Sequence, residues 1–216
     1  MRRSRRISGL YAVTPESPDS HWLGARVKAA LAGGAGAVQY RSKCADGRLR
    51  AEQAEQLLAS CREYDALLII NDDVELAQRL GADGVHLGRE DMPLADARGV
   101  LGSEALIGVS CYDSLARALD AKASGADYVA FGSFFPSAVK PDAVRAPHQL
   151  LRDARRVLGL PVVAIGGITP HNAGELIEAG ADAVAVISAL FQVHDTLSAA
   201  QAFAALFAEQ DNSEIE

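Results

Sequence analysis

The sequence predicts a single α/β domain, an eight-stranded (β/α)8 TIM barrel, and three observations carry that expectation. Short apolar runs alternate strictly with amphipathic stretches along the chain, the pattern of parallel strands covered by helices. One local pattern recurs four times, as Gly34-Ala35-Gly36-Ala37-Val38, Gly81-Ala82-Asp83-Gly84-Val85, Gly125-Ala126-Asp127-Tyr128-Val129 and Gly180-Ala181-Asp182-Ala183-Val184. In each copy a glycine stops a helix and β-branched residues open a strand. Polar residues gather after the apolar runs, where a barrel builds its site. A doubly wound open sheet is the runner-up, but it rarely needs eight units this regular.

The elements follow in order. Gly9 to Val13 is the first apolar run, and a helical stretch covers 20–33 before the first glycine motif opens strand 2. A helix at 49–63 leads to Leu67-Leu68-Ile69-Ile70, an unbroken apolar run that reads as a buried strand. In the helix at 73–80, Val74, Ala77 and Leu80 share a face and Gly81 is the stop. Strand 4 is Gly84 to Leu87, followed by a helix at 93–101, strand 5 at Leu106 to Val109 and a helix at 113–124. The third glycine motif opens strand 6, a helix covers 147–158, and Pro161 to Ile165 forms strand 7. A helix at 170–179, the fourth motif and a helix at 195–208 complete the count of eight. The barrel is expected over 9–208. Residues 1–8, with Arg2, Arg3, Arg5 and Arg6 and no following apolar h-region, read as a flexible basic terminus, and 209–216 as a disordered acidic tail.

A chain of 216 residues is long enough for a full core. Its net charge of −7 argues against a nucleic-acid surface, and no apolar stretch has the length of a bilayer span. Cys44, Cys61 and Cys111 are odd in number and widely spaced, which gives neither a disulfide framework nor a zinc pattern and favours a reducing cytoplasm.

At the expected rim, Arg41 and Lys43 lie one residue apart after strand 2, with Gln39 in the same alternation. A forked guanidinium and an ammonium pointing one way suit a diphosphate. Gly166-Gly167 after strand 7 and Ile187-Ser188 after strand 8 occupy the two loops at which barrels often hold a phosphate, or else form tight turns that simply require glycine. Strands 3 and 4 deliver Asn71-Asp72-Asp73 and Arg89-Glu90-Asp91. Asp72 and Asp91 have the character of Mg²⁺ ligands, because magnesium takes few carboxylates and completes its shell with water and phosphate. Acids at loop starts also serve as helix N-caps, the reading that suits Asp73. Lys140, in a long loop containing Pro136, is a further cation on a lid-like segment. His86, inside strand 4, has no evident partner and receives no role.

Taken together, GLYAVT, QYRSK, INDDVELA, GADGVHLGRED, IGVS, GADYVAFGSFFPSAVK, VVAIGGI and AVAVISAL, in this order after successive strands, resemble the thiamine-phosphate synthase family from Gly9 to Leu190. The resemblance implies a transferase of thiamine biosynthesis that joins a hydroxymethylpyrimidine diphosphate to a (carboxy)hydroxyethylthiazole phosphate, and that works on small molecules with Mg²⁺. It implies that Gln39, Tyr40, Arg41, Ser42 and Lys43 hold the pyrimidine diphosphate, with contacts from Asn71, Ser110 and Lys140. It assigns Mg²⁺ to Asp72 and Asp91, the thiazole phosphate to Ser137, Ala138, Val139, Gly167, Ile187 and Ser188, and charge stabilisation to Arg41, Lys43 and Lys140. Two departures stand out. The family's lid reads Pro-Thr-x-Thr-Lys where this chain has Pro136-Ser137-Ala138-Val139-Lys140, and the family often has Gln at Arg89. A thiazole tautomerase-like isomerase and a turnover-deficient regulatory paralogue are the alternatives; oligomeric state, with a homo-oligomer possible, stays open.

Overall fold

In the computed structural model, which describes residues 6–136 and 144–213 (209–213 by backbone alone), eight parallel strands close on themselves in sequence order. They are β1 (Gly9–Val13), β2 (Ala37–Tyr40), β3 (Leu67–Asn71), β4 (Gly84–Leu87), β5 (Leu106–Tyr112), β6 (Tyr128–Phe131), β7 (Val162–Ile165) and β8 (Ala183–Val186). Closure is direct: β1 pairs with β2 through Tyr11–Ala37 and with β8 through Leu10–Val184. The helices are α1 (Ser20–Ala32), α2 (Gly47–Glu63), α3 (Val74–Leu80), α4 (Leu94–Leu101), α5 (Leu115–Ala123), α6 (Gln149–Val157), α7 (Ala173–Glu178), α8 (Ser188–Phe191) and α9 (Thr196–Ser213). The short α8 is additional to the eight helices expected, and α9 runs past the boundary drawn at 208.

The strand pleat divides the core in two. Leu10, Val38, Leu68, Ile70, Val85, Ile107, Val129, Val162 and Val184 face outward into the layer shared with the helices. Tyr11, Val13, Ala37, Ile69, Tyr128, Ala130, Val163, Ala183 and Ala185 face the lumen. Ile7 joins that inner cluster at 1% exposure, and Arg6 pairs with Asp182 at 2.9 Å. Packing against the barrel therefore already involves residues ahead of residue 9, because an isoleucine fills the bottom of the barrel.

Local chemistry fixes the helix starts. Asp19, Asp46 and Ser114 accept backbone N–H bonds at the N-termini of α1, α2 and α5. Asp73 accepts from Leu76 N at 2.9 Å, the capping role expected of it. Gly81 closes α3 in the left-handed conformation at φ 62°. Strand β5 extends beyond Val109, with a register shift between Ser110 and Tyr112. Ser110 faces the lumen and Cys111 the outer layer, where burial pushes its thiol up to about 12. A thiol that stays protonated and enclosed is a packing residue.

Candidate active site

The C-terminal ends of the strands surround a cavity of about 610 Å³. Gln39, Arg41, Asn71, His86 and Ser110 contribute to one side, and Gly166, Ile165, Ala185 and Ile187 to the β7–β8 side. Tyr112, Asp113, Arg89 and Glu90 form part of the rim.

The β2 loop is held by residues of the β1 loop. Thr14, fully buried, accepts from Arg41 N at 2.9 Å through its Oγ1. The Glu16 carboxylate accepts from Lys43 N at 2.9 Å and from Ser42 Oγ at 3.0 Å. Burial pushes the Glu16 carboxyl upward, but the Lys43 N–H, the Ser42 hydroxyl, the Cys44 N–H and the Arg41 charge outweigh it and hold the group below the ordinary glutamate value. Neither Thr14 nor Glu16 was singled out in the sequence; each lies more than twenty residues from its partners, so no local spacing betrays the pairing.

Lys43 Nζ donates to Asp72 Oδ2 at 2.9 Å, and Asn71 Nδ2 donates to the same oxygen at 2.8 Å. The lysine is largely exposed, so this ion pair is worth only about 0–1 kcal/mol and the ammonium is easily redirected to a phosphate. Asp72 itself has φ 58°. A left-handed aspartate costs roughly 1 kcal/mol. Asp91 Oδ2 accepts from Gly88 N at 2.6 Å, which folds the β4 loop back on itself. Among the described residues there is no group of three or more metal-ligating side chains. Any metal here relies on one or two carboxylates plus oxygens of a ligand, the arrangement magnesium accepts.

One side chain of the expected set sits differently, and two glycines have a structural reason of their own. The Tyr40 ring belongs to the outer layer, its hydroxyl donating to Gln53 Oε1 at 2.8 Å, because it alternates with inward-facing Gln39 and Arg41. Only its backbone is left to the site. Gly166 and Gly167 have φ 105° and 66°, and a side chain on either would collide with the Ser133–Pro136 loop after β6. Close packing therefore demands these glycines whether or not a phosphate also binds there. Ser188 opens the short α8 beside Ile187. Ser137, Ala138, Val139 and Lys140 lie outside the described residues.

A family model, thiamine monophosphate synthase, matches residues 10–190. The chain belongs to the thiamine monophosphate synthase family. A thiamine-phosphate synthase of Chromobacterium violaceum is 56% identical over 202 residues, covering 94% of this chain and 97% of that one. Its counterpart from an Azoarcus species is also 56% identical, over 94% and 98% of the two chains. Among solved structures, a thiamine phosphate pyrophosphorylase from Pyrococcus furiosus superposes with a TM-score of 0.85 at 39% identity, over 95% and 98% of the two chains. Family membership carries the fold and the class of activity. The chain is an enzyme, a transferase of thiamine biosynthesis.

The geometry of the site also revises His86. Its Nε2 is 2.9 Å from Ser110 Oγ and its Nδ1 is 3.1 Å from Tyr128 Oη. The histidine without evident partners has two, on strands 24 and 42 residues away. Burial pulls its pKa down to about 4, against an opposing pull from Asp91. It is a neutral imidazole at physiological pH.

Proposed function

We propose that the barrel couples a hydroxymethylpyrimidine diphosphate to a hydroxyethylthiazole phosphate, carboxylated or not, with release of diphosphate and formation of thiamine phosphate. The observation that supports this best is the division of the cavity. Arg41, Asn71 and Ser110 bring one cation and two polar groups to the β2–β5 side, while Gly166 and Ile187 line the β7–β8 side. Such a layout suits a diphosphate on the first side and a monophosphate on the second.

The chemistry breaks the bond between the pyrimidine methylene and the diphosphate oxygen, which leaves with the electron pair. The thiazole nitrogen then supplies the pair for the new C–N bond. Arg41 and Lys43 would stabilise the negative charge that grows on the departing group, with Lys140 joining them from the lid segment. Gln39 and Asn71 would orient the pyrimidine diphosphate, and Ser42 would act through the loop that Glu16 fixes. Ser137 to Val139, Gly167 and Ile187-Ser188 would receive the thiazole phosphate. Asp72 and Asp91 would hold Mg²⁺, which when bound neutralises charge on the diphosphate. A reaction of this kind needs positioning and exclusion of water rather than a protein nucleophile. We place the enzyme in the cytoplasm, a reducing compartment that suits its three free cysteines.

Purified protein given both substrates and Mg²⁺ should form thiamine phosphate and diphosphate in equal amounts. Isomerisation of the thiazole without coupling would reassign the site to a tautomerase, and tight binding without turnover to a regulatory role.

A further inference from the structure

Beneath the cavity floor, five polar side chains from five strands form one continuous hydrogen-bonded chain. Gln39 Nε2 donates to Tyr11 Oη at 3.0 Å, and Tyr11 Oη lies 3.0 Å from Tyr128 Oη. The chain continues from Tyr128 Oη to His86 Nδ1 at 3.1 Å and from His86 Nε2 to Ser110 Oγ at 2.9 Å. Both tyrosines are at most 1% exposed and His86 is 8% exposed. The rings are fixed by packing, Tyr11 edge-on to Tyr128 and His86 stacked on it at 5.6 Å. Gly108 is what admits the Tyr128 ring, for any side chain at that position would overlap it.

Both ring nitrogens of His86 are taken by hydroxyls and both phenols by uncharged partners, so every member of the chain is neutral. Each hydroxyl then owns one proton and the imidazole owns one. With Gln39 donating into Tyr11, the Tyr11 proton is free to go to Tyr128 and the Tyr128 proton to His86 Nδ1. The imidazole proton then sits on Nε2 and points at Ser110. Ser110 accepts it and keeps its own proton for the cavity. The opposite sense requires the Gln39 amide turned to accept and leaves Ser110 with only lone pairs facing the cavity. Lone pairs repel an anionic oxygen, whereas a hydroxyl proton binds it. Of the two senses, only the first suits an anion at Ser110.

We propose that Gln39, Tyr11, Tyr128 and His86 form a one-way hydrogen-bond chain that makes Ser110 a dedicated donor to the diphosphate, with His86 held as the neutral Nε2–H tautomer. His86 is thus a positioning residue, acting through Ser110. The inference rests on the reading that Ser110 faces the diphosphate, and it links the Gln39 end of the site to the Ser110 end through the barrel interior.

Histidine ¹⁵N spectra of the full chain at neutral pH, with and without inorganic diphosphate and Mg²⁺, test it. The His86 signal, assigned by its loss in His86→Gln, should show an unprotonated Nδ1 and a protonated Nε2 in the complex. A protonated Nδ1, alone or as imidazolium, overturns the proposal. In binding assays with inorganic diphosphate and Mg²⁺, His86→Ala should weaken affinity by about tenfold to a hundredfold, the loss of one hydrogen bond to a charged group. His86→Gln, which can place an amide N–H near the Nε2 position, should recover part of that loss; equal losses in the two variants count against the proposal. Wild-type affinity in Ser110→Ala would remove the underlying site reading. Lost affinity there, with His86 protonated on Nδ1, would leave the site reading intact and sink this inference alone.

Discussion

Aspartates at the two ends of the barrel have opposite employment. At the N-terminal end, Asp83 accepts from Leu68 N at 2.9 Å, Asp127 from Ile107 N at 2.7 Å and Asp182 from Val162 N at 2.8 Å. Each belongs to a copy of the Gly-Ala-Asp motif and ties the strand it precedes to the one before. Asp127 also pairs with Arg98 at 2.5 Å. At the C-terminal end, Asp72 sits in a left-handed backbone conformation and faces an exposed lysine, and Asp91 folds a loop. The lower acids satisfy buried backbone donors at the starts of strands, so they stabilise the fold. The upper ones stand at a rim, and Asp72 does so in a backbone conformation that costs stability; strain of this kind clusters at functional sites. Residue type alone does not separate the two groups; the strand end to which each belongs does.

The largest effect that tests this contrast is on turnover. Asp72→Asn and Asp91→Asn should each lower the coupling rate by on the order of 10²-fold or more, with melting temperatures close to the parent. A large drop in melting temperature with unchanged specific activity would place these acids with the lower group.

His86 sits between the two ends and adds a pH signature. Its folded pKa of about 4 lies below the ordinary 6.5, so the unfolded chain binds a proton first as pH falls. The stability is fully present above about 6.5 and is lost as pH drops toward 4, by roughly 3 kcal/mol in all. Denaturant titrations at several pH values would show the loss, and His86→Gln should flatten it. An identical slope in the variant would mean that His86 titrates alike in the folded and unfolded chain.

Next in size, Asp127→Asn should cost about 2 kcal/mol of unfolding free energy, because the buried Ile107 N–H and the Arg98 guanidinium lose their charged acceptor. The folded fraction should turn over normally. The smallest effect is expected at Glu16→Gln, which keeps the shape of the clamp on Ser42 and Lys43 but not its charge: about 1 kcal/mol, read as a severalfold rise in KM for the pyrimidine diphosphate with kcat little changed. A fall in kcat at constant KM would assign Glu16 a part in the chemical step.

The barrel was legible because its signals are local. Leu67 to Ile70 is apolar at every position as a strand covered on both faces must be, and the glycine motifs mark helix ends within a few residues of where they occur. The β5 bulge and the four-residue α8 were not legible, since neither changes the hydrophobic pattern. At the site, alternation correctly sends Gln39 and Arg41 inward, and the same alternation sends Tyr40 outward; the family resemblance, which took the whole QYRSK segment together, could not separate its side chains. Thr14, Glu16 and the Tyr11–Tyr128–His86 chain went unread for a different reason. Their meaning lies in pairings that the closed sheet creates between distant strands, and one sequence carries no trace of which side chains meet across a lumen.

The division between the two sets of acids is tested most directly by the Mg²⁺ dependence of the coupling rate in the parent, Asp72→Asn, Asp91→Asn and Asp127→Asn proteins. The half-saturating Mg²⁺ concentration should rise by about tenfold or more in the two rim variants and stay unchanged in Asp127→Asn. Unchanged Mg²⁺ dependence at both rim positions, or an equal shift in Asp127→Asn, would contradict the assignment.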